Sequence, residues 1–273
     1  MDLERLSDSF LDDALQVARD IASAAGELVL DYFEVPEKQK IQFKGVRDPV
    51  TEADLCSERL IRERLAKAFP EHSIVAEEEG ERSCGSRFRW YVDPLDGTVN
   101  FAHGLPLFSV ALALEVDGEL VLSVVHAPRL QETFTARRGG GAWCNGKRLS
   151  VSRTDTLLNA LVCTGFHYRR HELPDSNVQH FADFVMKVRG IRRLGSASCD
   201  LAYVAAGRLD AYWELHLAPW DKAPGALLVR EAGGSVTDMG GGGGFMDADC
   251  IVASNGSLHR SVLEVLNRRS PSP

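Results

Sequence analysis

Two aspartates stand three positions apart in Asp93-Pro94-Leu95-Asp96-Gly97-Thr98, directly after the apolar-rich Arg89-Trp90-Tyr91-Val92. A strand over Arg89–Val92 delivers Asp93 at its carboxyl end. Pro94 removes a backbone donor and stiffens the turn, Gly97 opens backbone geometry closed to other residues, and Thr98 adds a hydroxyl. A lone Asp-Gly pair signals only a turn. Two carboxylates on one tight turn can face a single point. Hard oxygens of this kind suit magnesium, which binds few carboxylates, keeps several waters and takes substrate phosphate.

Further acids are placed to join them. Glu77-Glu78-Glu79 follows the strand-like Ser73-Ile74-Val75-Ala76. Three adjacent acids also read as a solvated loop; the functional reading turns one inward, with Glu77 put first, although the sequence does not choose among them. Asp54 lies three residues after Thr51, the spacing of a capping box. Asp221 follows Trp220 where a helix begins and can cap it, and Pro224 fits a first turn. A carboxylate at a helix start can also be presented to a cleft. Asp54, Glu77, Asp93, Asp96 and Asp221 gathered there would repel one another, by roughly 4 kcal/mol per pair at ~4 Å and an effective dielectric of about 20. Such a cluster ionises only beside cations, which points to two or more divalent metals and to phosphoryl chemistry.

The elements that must hold these residues follow from periodicity. Leu11, Leu15, Ala18, Ala22, Ala25, Val29 and Phe33 form one stripe of a helix over Ser9–Phe33, ended by Pro36. A second helix opens at Thr51 and stops at Pro70, carrying Leu55, Ile61, Leu65 and Phe69. Antiparallel strands are expected over Phe108–Glu115, Leu120–His126 and Glu132–Arg138, the first two joined at Asp117-Gly118. Asn145-Gly146 turns into a short strand near Leu149–Val151. Beyond residue 153 strands and helices alternate. Strands are expected over Leu161–Thr164, Arg208–Tyr212 and Cys250–Ala253. Helices are expected over Val178–Val188, Ala197–Ala206, Trp220–Ala232 and Leu258–Leu266, with Gly240–Gly244 as a loop tip. The layout is α+β over 1–152 and α/β over 153–273, two subdomains of one catalytic unit in layered sheets and helices.

Composition narrows the function. With 44% hydrophobic and 26% charged residues, the 273-residue chain has material for a large core. Its net charge of -8 argues against direct nucleic-acid binding, since its arginine pairs (137–138, 169–170, 192–193) are short and scattered. None of the six cysteines forms a Cys-x-x-Cys pair or stands at zinc spacing to a histidine. The polar, acid-rich start is no secretory signal, and the longest apolar run, Phe108–Leu114, is too short to span a bilayer. These features give a cytoplasmic expectation.

The motifs together resemble the inositol monophosphatase family, within the lithium-sensitive sugar-phosphatase superfamily. The matching residues are Lys44, Asp48-Pro49-Val50-Thr51-Glu52-Ala53-Asp54, Glu77-Glu78, Asp93 to Phe101, His103-Gly104, Pro106, Gly195-Ser196-Ala197, Asp200 to Gly207, Trp220-Asp221 and Glu231-Ala232-Gly233-Gly234. Ala76 and Pro224 depart from the pattern without removing a ligand. The resemblance implies an αβαβα sandwich of the inositol monophosphatase and fructose bisphosphatase type. It implies one magnesium held by Glu77, Asp93 and the Leu95 carbonyl, a second by Asp93, Asp96 and Asp221, and a weaker third by Glu77 with waters. It further implies phosphate on the backbone N–H groups of Gly97 and Thr98. Thr98, hydrogen-bonded to Asp54, and Glu77 would prepare the attacking water, while Gly195, Ser196, Ala197 and Glu214 would contact the alcohol. The expected activity is hydrolysis of inositol monophosphate or a close polyol phosphate, with histidinol, adenosine bisphosphate and fructose bisphosphate as alternative substrates. A homodimer is implied, as is lithium inhibition. A protein partner in the transcription machinery is kept as a different class of role.

Overall fold

The computed structural model describes residues 6–35, 41–45 and 48–268. Its helices and strands run, in order, α1 (Asp8–Phe33), β1 (Ile41–Gly45), β2 (Asp48–Thr51), α2 (Glu52–Ala68), β3 (Ser73–Ala76), β4 (Gly80–Arg82), β5 (Phe88–Asp96), α3 (Thr98–Ala102), β6 (Ser109–Val116), β7 (Glu119–Ala127), β8 (Glu132–Arg137), β9 (Gly141–Cys144) and β10 (Lys147–Arg148). There follow β11 (Leu161–Thr164), α4 (Val178–Val185), β12 (Gly190–Arg192), α5 (Ala197–Ala205), β13 (Ala211–Leu215), α6 (Pro219–Glu231), β14 (Ser235–Thr237), β15 (Cys250–Ser254) and α7 (His259–Leu266).

These elements stack as an αβαβα sandwich. An eight-stranded sheet has the order β10-β9-β8-β7-β6-β5-β3-β4, antiparallel except for the β3–β5 pair. A five-stranded sheet has the order β12-β11-β13-β15-β14, its first three strands parallel. α1 and α2 cover one face of the larger sheet with a core that includes Ala18, Ile61, Trp90 and Leu112. α5 and α6 lie between the sheets, where Leu201, Ala205, Leu228 and Val229 meet Phe134 and Tyr212. α4 and α7 cover the outer face of the smaller sheet around Phe184, Trp213 and Val262. The sheets are thus mostly buried on both faces, so their central strands read as unbroken apolar runs.

Both long amino-terminal helices form where the apolar stripe predicts. Ser7 caps α1 by accepting from Phe10 N–H, and Glu34 closes it; Pro36 lies outside the described residues. Thr51 and Asp54 complete the expected capping box of α2. Asp117 and Gly118 both have positive φ and join β6 to β7 as a tight hairpin.

Several boundaries differ from expectation. Asn145-Gly146 joins β9 to β10, and the predicted strand near Leu149–Val151 is irregular. The strand expected over Arg208–Tyr212 starts at Ala211, because Asp210 ends the preceding turn by accepting from Leu161 N–H through its carboxylate. α4 ends at Val185. α6 begins one residue early, at Pro219, which puts Pro224 inside the helix and not in its first turn. The lost N–H there leaves the Trp220 carbonyl without its helical partner.

Candidate active site

The predicted turn at Asp93 is not a turn. β5 continues through Asp96, with an irregularity between the two aspartates. Asp93 pairs with Ala111 and Asp96 with Ser109, so three steps on β5 are matched by two on β6. Residues three apart on a regular strand face opposite ways; the extra residue of the bulge returns Asp96 to the side of Asp93. Both line one cavity of about 230 Å³.

Gly97 then turns the chain into α3 with φ 90°. A Cβ there would stand 3.0 Å from the Leu107 carbonyl oxygen and 3.2 Å from that of Gly195, so both conformation and space require glycine. Ser57 on α2 braces the strand end by donating to the Pro94 carbonyl at 2.8 Å.

The cavity gathers Glu77, Asp93, Leu95, Asp96, Gly97, Thr98, Gly195, Ser196, Ala197, Glu214 and Asp221. Of the predicted site residues only Asp54 is not on its wall. It lies behind Thr98, whose Oγ1 is 3.0 Å from Asp54 Oδ1 and 2.9 Å from the Leu95 carbonyl oxygen.

The three glutamates after β3 separate. Glu77 lines the cavity, and Lys44 Nζ donates to Glu77 Oε1 (3.0 Å) and Glu78 Oε1 (2.6 Å). Glu79 is exposed and pairs with Arg62. The segment is held from below by Glu58, a fully buried acid whose carboxylate accepts Glu78 N–H at 2.7 Å and Glu79 N–H at 2.8 Å. Glu58 escaped the sequence reading because an acid in a helical pattern reads as solvent face. The glutamate run beside it was the available signal.

The other walls come from the second half of the chain. Asp96 Oδ2 accepts from Ser196 Oγ (2.6 Å), Ser198 N–H (2.8 Å) and Ser198 Oγ, while Oδ1 takes only Ala197 N–H at 3.2 Å. Asp221 is not the N-cap of α6, a position that Ala218 holds; from the third helical position its Oδ2 reaches back to accept Ala218 N–H at 2.8 Å. Glu214 Oε2 accepts from Tyr212 Oη at 2.5 Å. Glu214 needs Gly165 opposite, since a Cβ at that position would overlap its carboxylate. Asp200, Arg193, His167, Tyr168 and His216 also line the cavity; the sequence assigned none of them a role at the site, although Asp200 opens one of the matching motifs. Asp200 is buried, and its Oδ1 has no hydrogen-bond partner.

Electrostatics set this cavity apart. Burial, then repulsion from Glu77, Asp96 and Asp221, raises the Asp93 pKa well above the usual carboxylate range. Asp221 is raised well above that range by burial and by Glu77 and Asp96. Burial raises Asp96 against the pull of Ser196 and Ser198, and pushes Glu77 up to about 7 against the pull of Lys44. Glu214 is pushed up to about 7, chiefly by burial. Carboxylates in this state ionise fully only when positive charge arrives.

This donor set fits magnesium. Among the described residues no three His, Cys, Asp or Glu side chains converge closely enough to enclose an ion by themselves. Asp96 and Asp221 are each turned partly to protein N–H or O–H donors. Magnesium does not require such an enclosure, because it retains waters and takes one or two carboxylates plus substrate oxygens.

Comparison with known proteins agrees with the geometry. Residues 11–270 match the profile of the inositol monophosphatase family. The chain is 45% identical to an inositol-1-monophosphatase of Rhizobium meliloti, over 92% of this chain and 95% of that protein. It is 44% identical to the Nus factor SuhB of Pseudomonas aeruginosa, over 94% and 97% of the two chains. The solved inositol monophosphatase of Anabaena superposes with a TM-score of 0.87 at 37% identity, covering 96% of this chain and 98% of that one.

Proposed function

The chain belongs to the inositol monophosphatase family, and on that premise we propose how it acts as a phosphomonoester hydrolase. Its substrate is the phosphate ester of a small alcohol, with inositol 1-phosphate placed first. One observation carries the reading. Asp93, Asp96 and Asp221 are raised carboxylates around one cavity, beside the Gly97–Thr98 backbone.

In this reading Glu77, Asp93 and the Leu95 carbonyl hold one magnesium, Asp93, Asp96 and Asp221 a second, and Glu77 with waters a third. Magnesium there supplies water activation and neutralises phosphate charge. Ser196 and Ser198 occupy Asp96 Oδ2, which leaves Oδ1 as the oxygen available to a metal. Gly97 and Thr98 N–H groups receive phosphate oxygens at the start of α3. Thr98 gives its single hydroxyl hydrogen to Asp54, so its lone pairs accept from the attacking water and aim it in line with the leaving alcohol. Glu77 takes the proton. Glu214 keeps Oε1 for an alcohol hydroxyl while Tyr212 holds Oε2, and Gly195, Ser196 and Ala197 line the same side. The halves 1–152 and 153–273 act as one unit, because the ligands come from both.

The test is a substrate panel compared by kcat/KM in magnesium. Inositol 1-phosphate is expected to lead. A higher value for histidinol phosphate, adenosine bisphosphate or fructose bisphosphate would move the substrate assignment, and no phosphate release from any of them would reject the reading. Lithium inhibition, a homodimer and a cytoplasmic address belong to the same proposal. Undiminished turnover at high millimolar lithium would count against the second metal.

A second role rests on the relative named a Nus factor: a partner in the transcription machinery, engaged through protein contacts because the net charge is -8. A pull-down from lysate that recovered no transcription protein would reject it.

A further inference from the structure

Lys222 stands next to Asp221 near the start of α6 and is 1% exposed. Its Nζ donates to three backbone carbonyl oxygens: Phe245 at 2.9 Å, Met246 at 3.1 Å and Ala248 at 2.7 Å. An ammonium group has three N–H donors, so every one is used. Burial lowers the Lys222 pKa, and Asp221, Cys250, Asp249 and Asp247 act against that shift through space.

These carbonyls belong to one short segment directly after the Gly240–Gly244 stretch. Phe245 anchors that segment in the core. At its far end the Asp249 carbonyl accepts the N–H of His216, two residues beyond Glu214 on β13. The segment therefore ties the helix that carries Asp221 to the strand end that carries Glu214, and on the helix side the tie is made by Lys222 together with Arg230, whose guanidinium lies 4.7 Å from the Phe245 ring centroid. Asp247 and Ala248 donate their N–H groups to the Gly244 carbonyl, which folds the segment into a turn, and three carbonyls aimed at one point need a cation or donors to satisfy them. Carbonyl oxygens converging in this way are also the ligand set that replaces the hydration shell of a monovalent ion.

We propose that the Lys222 ammonium serves as a built-in cation in a cage of backbone carbonyls, and that this cage is a positioning device that sets Asp221 against Glu214. The positioning part rests on the reading that Asp221 holds magnesium. The cage part does not. Lys222 touches no substrate and acts through the segment and α6.

The experiment uses the full chain with Lys222→Met, which fills the space without charge, and Lys222→Ala, which empties it. Thermal melting without magnesium is compared in ammonium, potassium and tetramethylammonium chloride at equal ionic strength. Magnesium affinity is then measured by titration calorimetry, and the magnesium dependence of kcat and KM by phosphate release. The melting temperature of Lys222→Ala is expected to rise in ammonium or potassium relative to tetramethylammonium, with no such rise in the wild type. Both variants are expected to bind magnesium about tenfold more weakly, the loss typical when a ligand loses its support. Ammonium is expected to restore affinity in Lys222→Ala and not in Lys222→Met.

A folded Lys222→Met with wild-type magnesium affinity would overturn the positioning role. A Lys222→Ala melting temperature indifferent to the cation would overturn the cage. If Lys222→Met does not fold, Lys222→Ala refolded in each salt decides: recovery in ammonium or potassium alone supports the cage, and no recovery in any salt overturns it. A wild type that releases phosphate at full rate without magnesium would instead refute the magnesium reading of Asp221 and leave the cage standing.

Discussion

Thr98 Oγ1 lies 3.0 Å from Asp54 Oδ1, across 44 positions of sequence. The other oxygen of Asp54 accepts Thr51 N–H at 2.8 Å and Thr51 Oγ1 at 2.5 Å. One carboxylate therefore caps α2 and fixes the Thr98 hydroxyl. The capping role is therefore compatible with the catalytic one proposed for Asp54, because its two oxygens meet different partners.

Thr98→Val keeps the shape of Thr98 and removes the hydroxyl. It is expected to lower kcat roughly 100-fold, the scale of a misaligned reacting group, with a circular dichroism spectrum like the wild type's. Steady-state phosphate release at saturating magnesium checks this. A kcat near the wild-type value would remove Thr98 from the mechanism.

Glu58→Gln replaces a carboxylate that accepts two backbone N–H groups with an amide that can accept only through its single oxygen. One N–H of the Glu78–Glu79 segment then meets an NH2 group. A stability loss of about 1–3 kcal/mol is expected, together with a raised KM for magnesium, because Glu77 rides on that segment. Urea unfolding and a magnesium titration measure the two effects. Unchanged values in both would show that Glu58 does not hold the loop.

What the sequence revealed depended on how each feature is encoded. α1, α2 and the β6–β7 hairpin carry their own signals in apolar period, capping residues and Asp117-Gly118, and they formed where expected. The acids of the cavity were visible as residue types, yet the reason Asp93 and Asp96 share a side was not. It lies in a bulge defined against β6, and pairing register is not written in either strand alone. β1 was missed although Ile41-Gln42-Phe43-Lys44 alternates apolar and polar residues, because the run is short and none of its side chains joins the core. Lys222 reads as a surface lysine; only the fold brings residues 245–248 around it. Glu58 reads the same way.

Stability should also respond to pH through two histidines. His72 is buried, stacked between Phe69 and Phe88, and its Nδ1 accepts from Trp90 Nε1 at 3.1 Å. His126 lies against Gly26 and Thr133. Burial lowers both from 6.5 to about 4. The unfolded chain takes up these protons below pH 6.5 and the folded chain only near pH 4, so this contribution is complete above 6.5 and is lost as pH falls toward 4. It amounts to roughly 3 kcal/mol per histidine at most. The raised carboxylates of the cavity act in the opposite sense, so the histidine part is read by difference. The urea midpoint of the wild type is expected to fall more steeply than that of His126→Gln between pH 6.5 and 4. Parallel curves would contradict the buried neutral state.

The proposed function has Asp93, Asp96 and Asp221 hold magnesium for phosphate ester hydrolysis. Its most direct test is phosphate release from inositol 1-phosphate, titrated with magnesium after chelation, for the wild type and Asp96→Asn. The wild type is expected to be inactive after chelation and to recover saturably with magnesium. Asp96→Asn is expected to stay folded, since Ser196 and Ser198 can still donate to its amide oxygen, and to lose nearly all turnover at every magnesium concentration. Full wild-type turnover in chelator, or near-normal release by Asp96→Asn, would contradict the account.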